Sequence, residues 1–334
     1  MKAKALVCDE KQNLTLSEVT LADPSPDQIA MRTLYSGVSV GTELALVRNK
    51  LSWGPYPICT GYQSVGVVEQ VGNNVKDVQV GQKVYVRGNT GMALGDGTAV
   101  SCVAGTHCSM LVTEPGGTHG AAVLGEGVDD AAASMFVMPA VGLFGVDMAG
   151  PQLGDTVVVC GAGPIGLGVV AAAAHRGCVV IAADLEPKRL EIARQLGADY
   201  LINAKTQNVA DEVHKIAPEG ADVVFEATGI PKLIDPAIEL CRERGKFVYQ
   251  GNYGSAPYET RFLVPHERKV TAYYPCDDGL QPCRRAVLKN MASGALPWET
   301  TITHRIEAAE SPAFFEKINN NDVSDVICAV IHWS

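Results

Sequence analysis

The stretch Thr156-Val-Val-Val-Cys160-Gly161-Ala-Gly163-Pro164-Ile165-Gly166-Leu-Gly-Val-Val170 decides the fold of this 334-residue chain. Thr156 to Cys160 reads as a buried strand, and Pro164 to Arg176 as a helix. A lone Gly-x-Gly-x-x-Gly is weak evidence, but one placed between a strand and a helix is specific for a dinucleotide. Gly161 permits the tight turn. Gly163 lets the backbone approach a pyrophosphate at the positive end of the helix, and Gly166 lets helix and strand pack closely. Pro164 and Ile165 complete the candidate phosphate loop. The next strand, Val179 to Ala183, is closed by Asp184, 18 residues after Gly166. Its carboxylate can accept both ribose hydroxyls of NAD(H) and repels the 2′-phosphate of NADP(H). Lys188 and Arg189 keep NADP(H) as the less favoured alternative. Arg189, Thr228, Gly229 and Gly251 join the candidate cofactor set.

Working outward, residues from about 150 to 270 alternate strands with helical patterns. Glu186 to Leu196 is a helix ended by Gly197, and later strands are Tyr200 to Ile202, Val223 to Glu226 and Lys246 to Gln250. Such alternation implies a parallel sheet covered on both faces. Upstream, Lys4-Ala-Leu-Val, Leu14-Thr-Leu, Gln28 to Thr33, Ser64 to Gly72 and Lys83 to Arg87 are short strands between Gly-, Asn- and Pro-containing turns. They suggest a compact β-barrel-like domain. Ile302-Thr-His-Arg and Val326 to Ile331 are strand candidates in a final segment expected to rejoin that first domain. The fold class is therefore α/β. The division expected is 1–145 for the β-rich domain, 146–275 for the dinucleotide domain and 276–334 for the returning segment.

Composition narrows the partners. Hydrophobic residues make up 47% of the chain, too apolar for disorder. A formal charge of −10 offers a nucleic-acid backbone no cationic footprint. The apolar run Val157 to Ala174 is interrupted by five Gly and Pro residues and is no membrane span. The 10 Cys are scattered, several in apolar runs, with no Cys-x-x-Cys pair, which fits reduced thiols better than a disulfide scaffold. With no signal peptide legible at the N-terminus, a cytoplasmic location is expected.

The order of these parts carries a resemblance. Gly61-Tyr-Gln-Ser-Val-Gly-Val-Val-Glu-Gln-Val-Gly72 and Val80-Gly-Gln-Lys-Val84 precede the dinucleotide fingerprint, and a β-rich segment follows it. Over essentially its whole length the chain resembles the medium-chain dehydrogenase/reductase superfamily of the zinc alcohol dehydrogenase type. The resemblance implies a GroES-like catalytic domain discontinuous in sequence, an inserted Rossmann domain and a cleft between them. It also suggests homodimers or homotetramers through the Rossmann sheet edge. The family's zinc ligands are missing, however. Where zinc-dependent members carry Gly-x-Cys, Gly-His-Glu and a further Cys or acid, this chain reads Ser36-Gly-Val-Ser39, Gly61-Tyr62-Gln63 and Met135-Phe-Val-Met138. A hydroxyl, a phenol and a thioether make a poor Zn²⁺ site. Cys59 and Glu43 are the nearest alternatives. The structural zinc lobe keeps only Cys102 and Cys108, too few to close a tetrahedral site. No metal is therefore expected.

Without zinc, a side chain must handle the substrate oxygen. Tyr62 stands at a ligand position and can donate to that oxygen or, as phenolate, accept from it. Use as a base requires a nearby cation to lower its pKa, and the sequence identifies none. Ser39, Thr42 and Glu43 form a polar loop in which Ser39 or Thr42 can relay a proton and Glu43 can act as a base. His107 resembles a structural residue of the family's barrel strand. His119, His266 and His304 are weaker candidates. The Ser-Val-Gly-Thr-Glu and Gly-Tyr-Gln pattern resembles a metal-free branch that includes bacteriochlorophyllide-type and sugar or polyol dehydrogenases. The reading is a zinc-independent, NAD(H)-dependent oxidoreductase of a secondary alcohol, and Asn89, Thr90, Asp277 and Asp278 favour a hydroxylated small-molecule substrate. Alternatives are an enone- or quinone-type C=C reductase, or a cofactor-binding protein without catalysis.

Overall fold

Val157, Val158 and Val159 are all fully buried, as expected of a strand covered on both faces. In the computed structural model, which describes residues 1–333, this strand (Thr156–Cys160) lies at the centre of a parallel sheet. Its neighbours are Val179–Asp184 on one side and Ala221–Glu226 on the other. Tyr200–Asn203, Cys241–Tyr249 and Thr271–Tyr273 complete six strands. Reading across the sheet, the strands come third, second, first, fourth, fifth and sixth in chain order. The order reverses between Thr156–Cys160 and Ala221–Glu226, so the loops leaving those two strands flank the point where such folds bind ligands.

This sheet belongs to the second of two units, Val137–Val287 with Gly294–Pro297. The division falls earlier than the expected 145/146. Helix Val137–Ala149 packs on helix Pro164–His175 so tightly that a Cβ at Gly142 would lie 2.5 Å from the Val169 nitrogen. Small residues at the crossing tie the helix to the dinucleotide sheet. Residues 276–287 also stay with this unit rather than with the returning segment. Among the described residues no helix is long and apolar enough to cross a membrane.

The first unit comprises Met1–Phe136, Leu288–Ser293 and the chain from Trp298 onward. Strands Lys2–Cys8, Leu14–Leu21, Met92–Leu94, Ala99–Cys102 and Ile58–Cys59 close a barrel. Beside it runs a sheet in which Ile29–Val38 pairs with Ser64–Val71 and Met110–Thr113. The C-terminal strand Cys328–His332 is its other antiparallel neighbour, with Ala329 opposite Val38. The end of the chain is thereby stitched to the strand that leads directly into Ser39.

Candidate active site

Strand Ile29–Val38 ends at Ser39, the N-cap of helix Val40–Val47. A serine there usually caps the helix with its hydroxyl. Here it makes no side-chain cap, and its Oγ instead accepts a hydrogen bond from the Tyr62 phenol at 2.5 Å. Capping comes from the opposite direction: Glu43 in the first turn reaches back, and its Oε1 accepts the Ser39 amide at 2.7 Å. Glu43 is fully buried. Its Oε2 accepts the Thr60 hydroxyl at 2.9 Å and lies 2.7 Å from His107 Nε2. On the other side of the imidazole, Nδ1 lies 2.8 Å from Ser36 Oγ, to which the Trp333 indole donates at 2.9 Å.

Gly61 makes this convergence possible. At φ +87° it sits between Thr60, aimed at Glu43, and Tyr62, aimed at Ser39. A side chain there would also place a Cβ 2.8 Å from the His107 ring. Glycine, which has no Cβ, takes up that conformation without strain.

The cation that the sequence did not identify is Arg87, whose guanidinium carbon lies 5.2 Å from the centroid of the Tyr62 ring. It follows strand Lys83–Val86, and nothing in the linear sequence links it to Tyr62. Burial nevertheless pushes the Tyr62 phenol above its ordinary range. The Ser39 and Thr42 hydroxyls and Arg87 offset only part of this, and the Glu43 charge adds to it. Tyr62 as a resting base is therefore corrected: at neutral pH the group is a protonated donor. Glu43 as a base is corrected as well. Its carboxylate is enclosed and already faces three donors, so it holds the loop.

The donor set does not fit zinc. Ser39 and Tyr62 are hydrogen-bonded to each other, and Met138, a buried thioether, lies on helix Val137–Ala149 of the second unit. Burial holds the Cys59 thiol well above its usual pKa, and its sulfur donates to the carbonyls of Thr60 and His107. Cys102 and Cys108 are pushed up to about 11 and about 12, again by burial. A metal would have to bind thiolates. Between strands Lys83–Val86 and Met92–Leu94, Asn89 ties the loop together. Its side-chain nitrogen donates to the carbonyls of Gly105 and Met110 at 3.3 Å, and its oxygen accepts from the amides of Thr90 and Val112 at 2.9 Å. This corrects the expectation that Asn89 meets substrate. Asp278 is likewise occupied, in a buried bidentate pair with Arg284 at 2.7 and 2.9 Å. His119 is exposed, His266 stacks on Phe262, and His304 lies 3.4 Å from Asp325.

In the second unit the fingerprint loop has the form that a dinucleotide requires. Gly163 is the N-cap of helix Pro164–His175, and a Cβ there would meet nothing within 4 Å, leaving open space at the helix end. At Gly166 a Cβ would lie 1.9 Å from the Gly161 carbonyl oxygen, so only glycine fits. Asp184 is half-buried at the end of its strand, accepting the Ala162 amide at 2.7 Å and the Glu186 amide at 2.9 Å. Each oxygen keeps a lone pair for a ribose hydroxyl. Arg189 follows on helix Pro187–Gln195, with its Nε buried and without a partner, while Lys188 is exposed. Thr228 packs against Gly161, and Gly251 packs against Gly229.

Sequence reading missed the group that holds this second loop. Glu226 is fully buried at the end of its strand. It accepts the Thr228 amide at 3.0 Å, the Thr228 hydroxyl, the Gly229 amide at 3.3 Å and the Tyr253 phenol at 2.5 Å. Its position two residues before Thr228 was the available signal.

Residues 25–148 match the family model described as alcohol dehydrogenase GroES-like domain, and residues 164–292 match that described as zinc-binding dehydrogenase. A 5-exo-hydroxycamphor dehydrogenase of Pseudomonas putida is 30% identical over 76% of this chain and 77% of its own. An alcohol dehydrogenase of Cupriavidus necator is 26% identical over 95% of each. Among solved structures, an Escherichia coli oxidoreductase/dehydrogenase of unknown specificity superposes with a TM-score of 0.87 over all of both chains at 22% identity, a likeness of fold alone.

Proposed function

The chain belongs to the medium-chain dehydrogenase/reductase superfamily of the alcohol dehydrogenase type, and on that premise we propose a zinc-independent NAD(H)-dependent oxidoreductase. Its substrate is a secondary alcohol or the corresponding ketone of a hydroxylated small molecule. The observation that carries the reading is the Tyr62–Ser39 hydroxyl pair at 2.5 Å, standing where zinc-dependent relatives place metal ligands. The hydroxycamphor, sorbitol and butanediol dehydrogenases among the relatives support alcohol chemistry. Asp184, with acceptor capacity left on both carboxylate oxygens, favours the unphosphorylated ribose.

When a nicotinamide dinucleotide is held here, hydride chemistry would come from that group. Gly161, Gly163 and Gly166 with the helix N-terminus would hold its pyrophosphate, and Asp184 its ribose. During ketone reduction Tyr62 gives its proton to the oxygen as negative charge develops there. The phenolate left behind is stabilised by the hydroxyls of Ser39 and Thr42 and by the Arg87 guanidinium. Ser39 can turn its own O–H toward Tyr62 once the phenol has given up its proton. Because the pKa is raised, the donor form persists through neutral pH and is lost only as pH climbs past that raised value.

The test follows reduced-nicotinamide absorbance over a panel of secondary alcohols and ketones, with and without a chelator. Tyr62→Phe should keep cofactor affinity and lower kcat by about 10²-fold, the usual scale of general acid–base catalysis. A kcat within about twofold of wild type, or activity lost to the chelator and restored by zinc, would overturn the reading.

A further inference from the structure

Trp333 begins a line of buried hydrogen bonds that runs behind Tyr62 through Ser36 and His107 to Glu43. Indole nitrogen only donates, so Ser36 Oγ accepts from it. Ser36 keeps its own hydrogen and can give it to His107 Nδ1, 2.8 Å away, which then accepts. A neutral imidazole accepting at Nδ1 carries its hydrogen on Nε2, which points at Glu43 Oε2 2.7 Å away. Thr60 donates to the same oxygen, and the Ser39 amide to the other. Trp333, Ser36, His107, Thr60 and Ser39 thus all donate toward one buried carboxylate, and no donor meets a donor. All of these side chains are buried, where a mismatched polar group would be costly.

We infer that Glu43 and His107 are positioning residues, holding Ser39 where its hydroxyl receives the Tyr62 phenol, with His107 held in its Nε2–H tautomer between the Glu43 carboxylate and the Ser36 hydroxyl. This rests on the reading of Tyr62 as the group that meets the substrate oxygen. Glu43 acts on the Ser39 backbone, so its effect on chemistry passes through the hydroxyl pair. His107 and Thr60 act one step further back, by fixing the carboxylate. The arrangement lies entirely within the first unit, so it should govern turnover without governing cofactor affinity.

Two measurements test it. Nitrogen-15 NMR of the imidazoles in the intact protein, assigned with a His107 variant, should show a bare Nδ1 and a protonated Nε2. A doubly protonated ring, or the opposite tautomer, overturns the assignment whatever the kinetics. The second measurement uses paired substitutions. A Gln amide reaches the place of imidazole Nε2, whereas an Asn amide reaches that of Nδ1. His107→Asn should therefore lower kcat about tenfold, and His107→Gln should recover most of the loss, with KM for NAD(H) unchanged in both. Thr60→Val, which keeps the side-chain shape, should lower kcat about fivefold. In a Tyr62→Phe background all three losses should vanish, because positioning acts only through the phenol. Losses that persist in full in that background, or a kcat unchanged in both His107→Asn and Thr60→Val while Tyr62→Phe is defective, overturn the positioning role alone. A neutral Tyr62→Phe overturns the catalytic reading and the positioning role with it.

Discussion

Glu43 and Glu226 are both fully buried carboxylates surrounded by donors, one in each unit, and they are assembled in opposite ways. Three of the four bonds to Glu226 come from Thr228 and Gly229, within three residues of it, and only the Tyr253 phenol comes from further along the chain. Glu43 draws on Ser39 in its own turn, then on Thr60 and on His107, 17 and 64 residues away. The first is a turn motif that its own short segment can nearly form. The second exists only when the strand carrying Ser36, the Gly61 turn and the C-terminal strand have come together. The carboxylate beside the dinucleotide fingerprint is thus held locally, whereas the one behind the Tyr62–Ser39 pair is held by long-range packing.

The largest effect that would sharpen this contrast is expected at Gly166. Gly166→Ala forces a methyl group against the Gly161 carbonyl. We expect about 3 kcal/mol of destabilisation and a comparable loss of NAD(H) affinity. Calorimetric unfolding and titration of the second-unit site would measure both, and near-normal binding would mean the loop is less rigid than its spacing implies. Next in size, Glu226→Gln places an amide where two faces both need an acceptor, costing about 2 kcal/mol. That loss should be seen in the NAD(H) dissociation constant, whereas Glu43→Gln should be seen in kcat with cofactor affinity retained. Crossed effects, with Glu43→Gln weakening cofactor binding and Glu226→Gln leaving it intact, would break the comparison. The smallest change is Asp184→Asn, which removes the charge facing a 2′-phosphate. The NAD(H) to NADP(H) preference should relax by about tenfold, or 1.4 kcal/mol, in parallel steady-state assays. An unchanged ratio would shift cofactor discrimination to Arg189.

Much of the second unit was legible residue by residue. The strand Thr156–Cys160, the helix from Pro164 and the strand closing at Asp184 all lie where hydrophobic runs and glycine spacing place them. The expected boundary at 145/146 cuts through helix Val137–Ala149, because its small residues signal close packing without saying against what. In the first unit Tyr62 was singled out by the resemblance, at a ligand position, and Ser39, Thr42 and Glu43 by their polar loop, yet their roles were not. Glu43 is as acidic in sequence as any surface glutamate, and only enclosure by Thr60, His107 and the Ser39 amide makes it a scaffold. Asn89 reads as a polar loop residue until all four of its amide hydrogen bonds are traced to backbone.

The sequence by itself determined the dinucleotide loop, because its Gly161–Gly166 contact and the acid that closes the next strand lie on one contiguous strand–turn–helix–strand. It also determined which side chains stand where the resemblance places metal ligands, since a hydroxyl, a phenol and a thioether are what they are in any fold. Tertiary structure alone decided that Arg87 lies over Tyr62, that burial outweighs this cation and keeps the phenol protonated, and that Ser36 links Trp333 to a histidine 226 residues before it. Burial, hydrogen-bond direction and pKa depend on how residues remote in the chain are brought together, and no single residue carries them before the chain has folded.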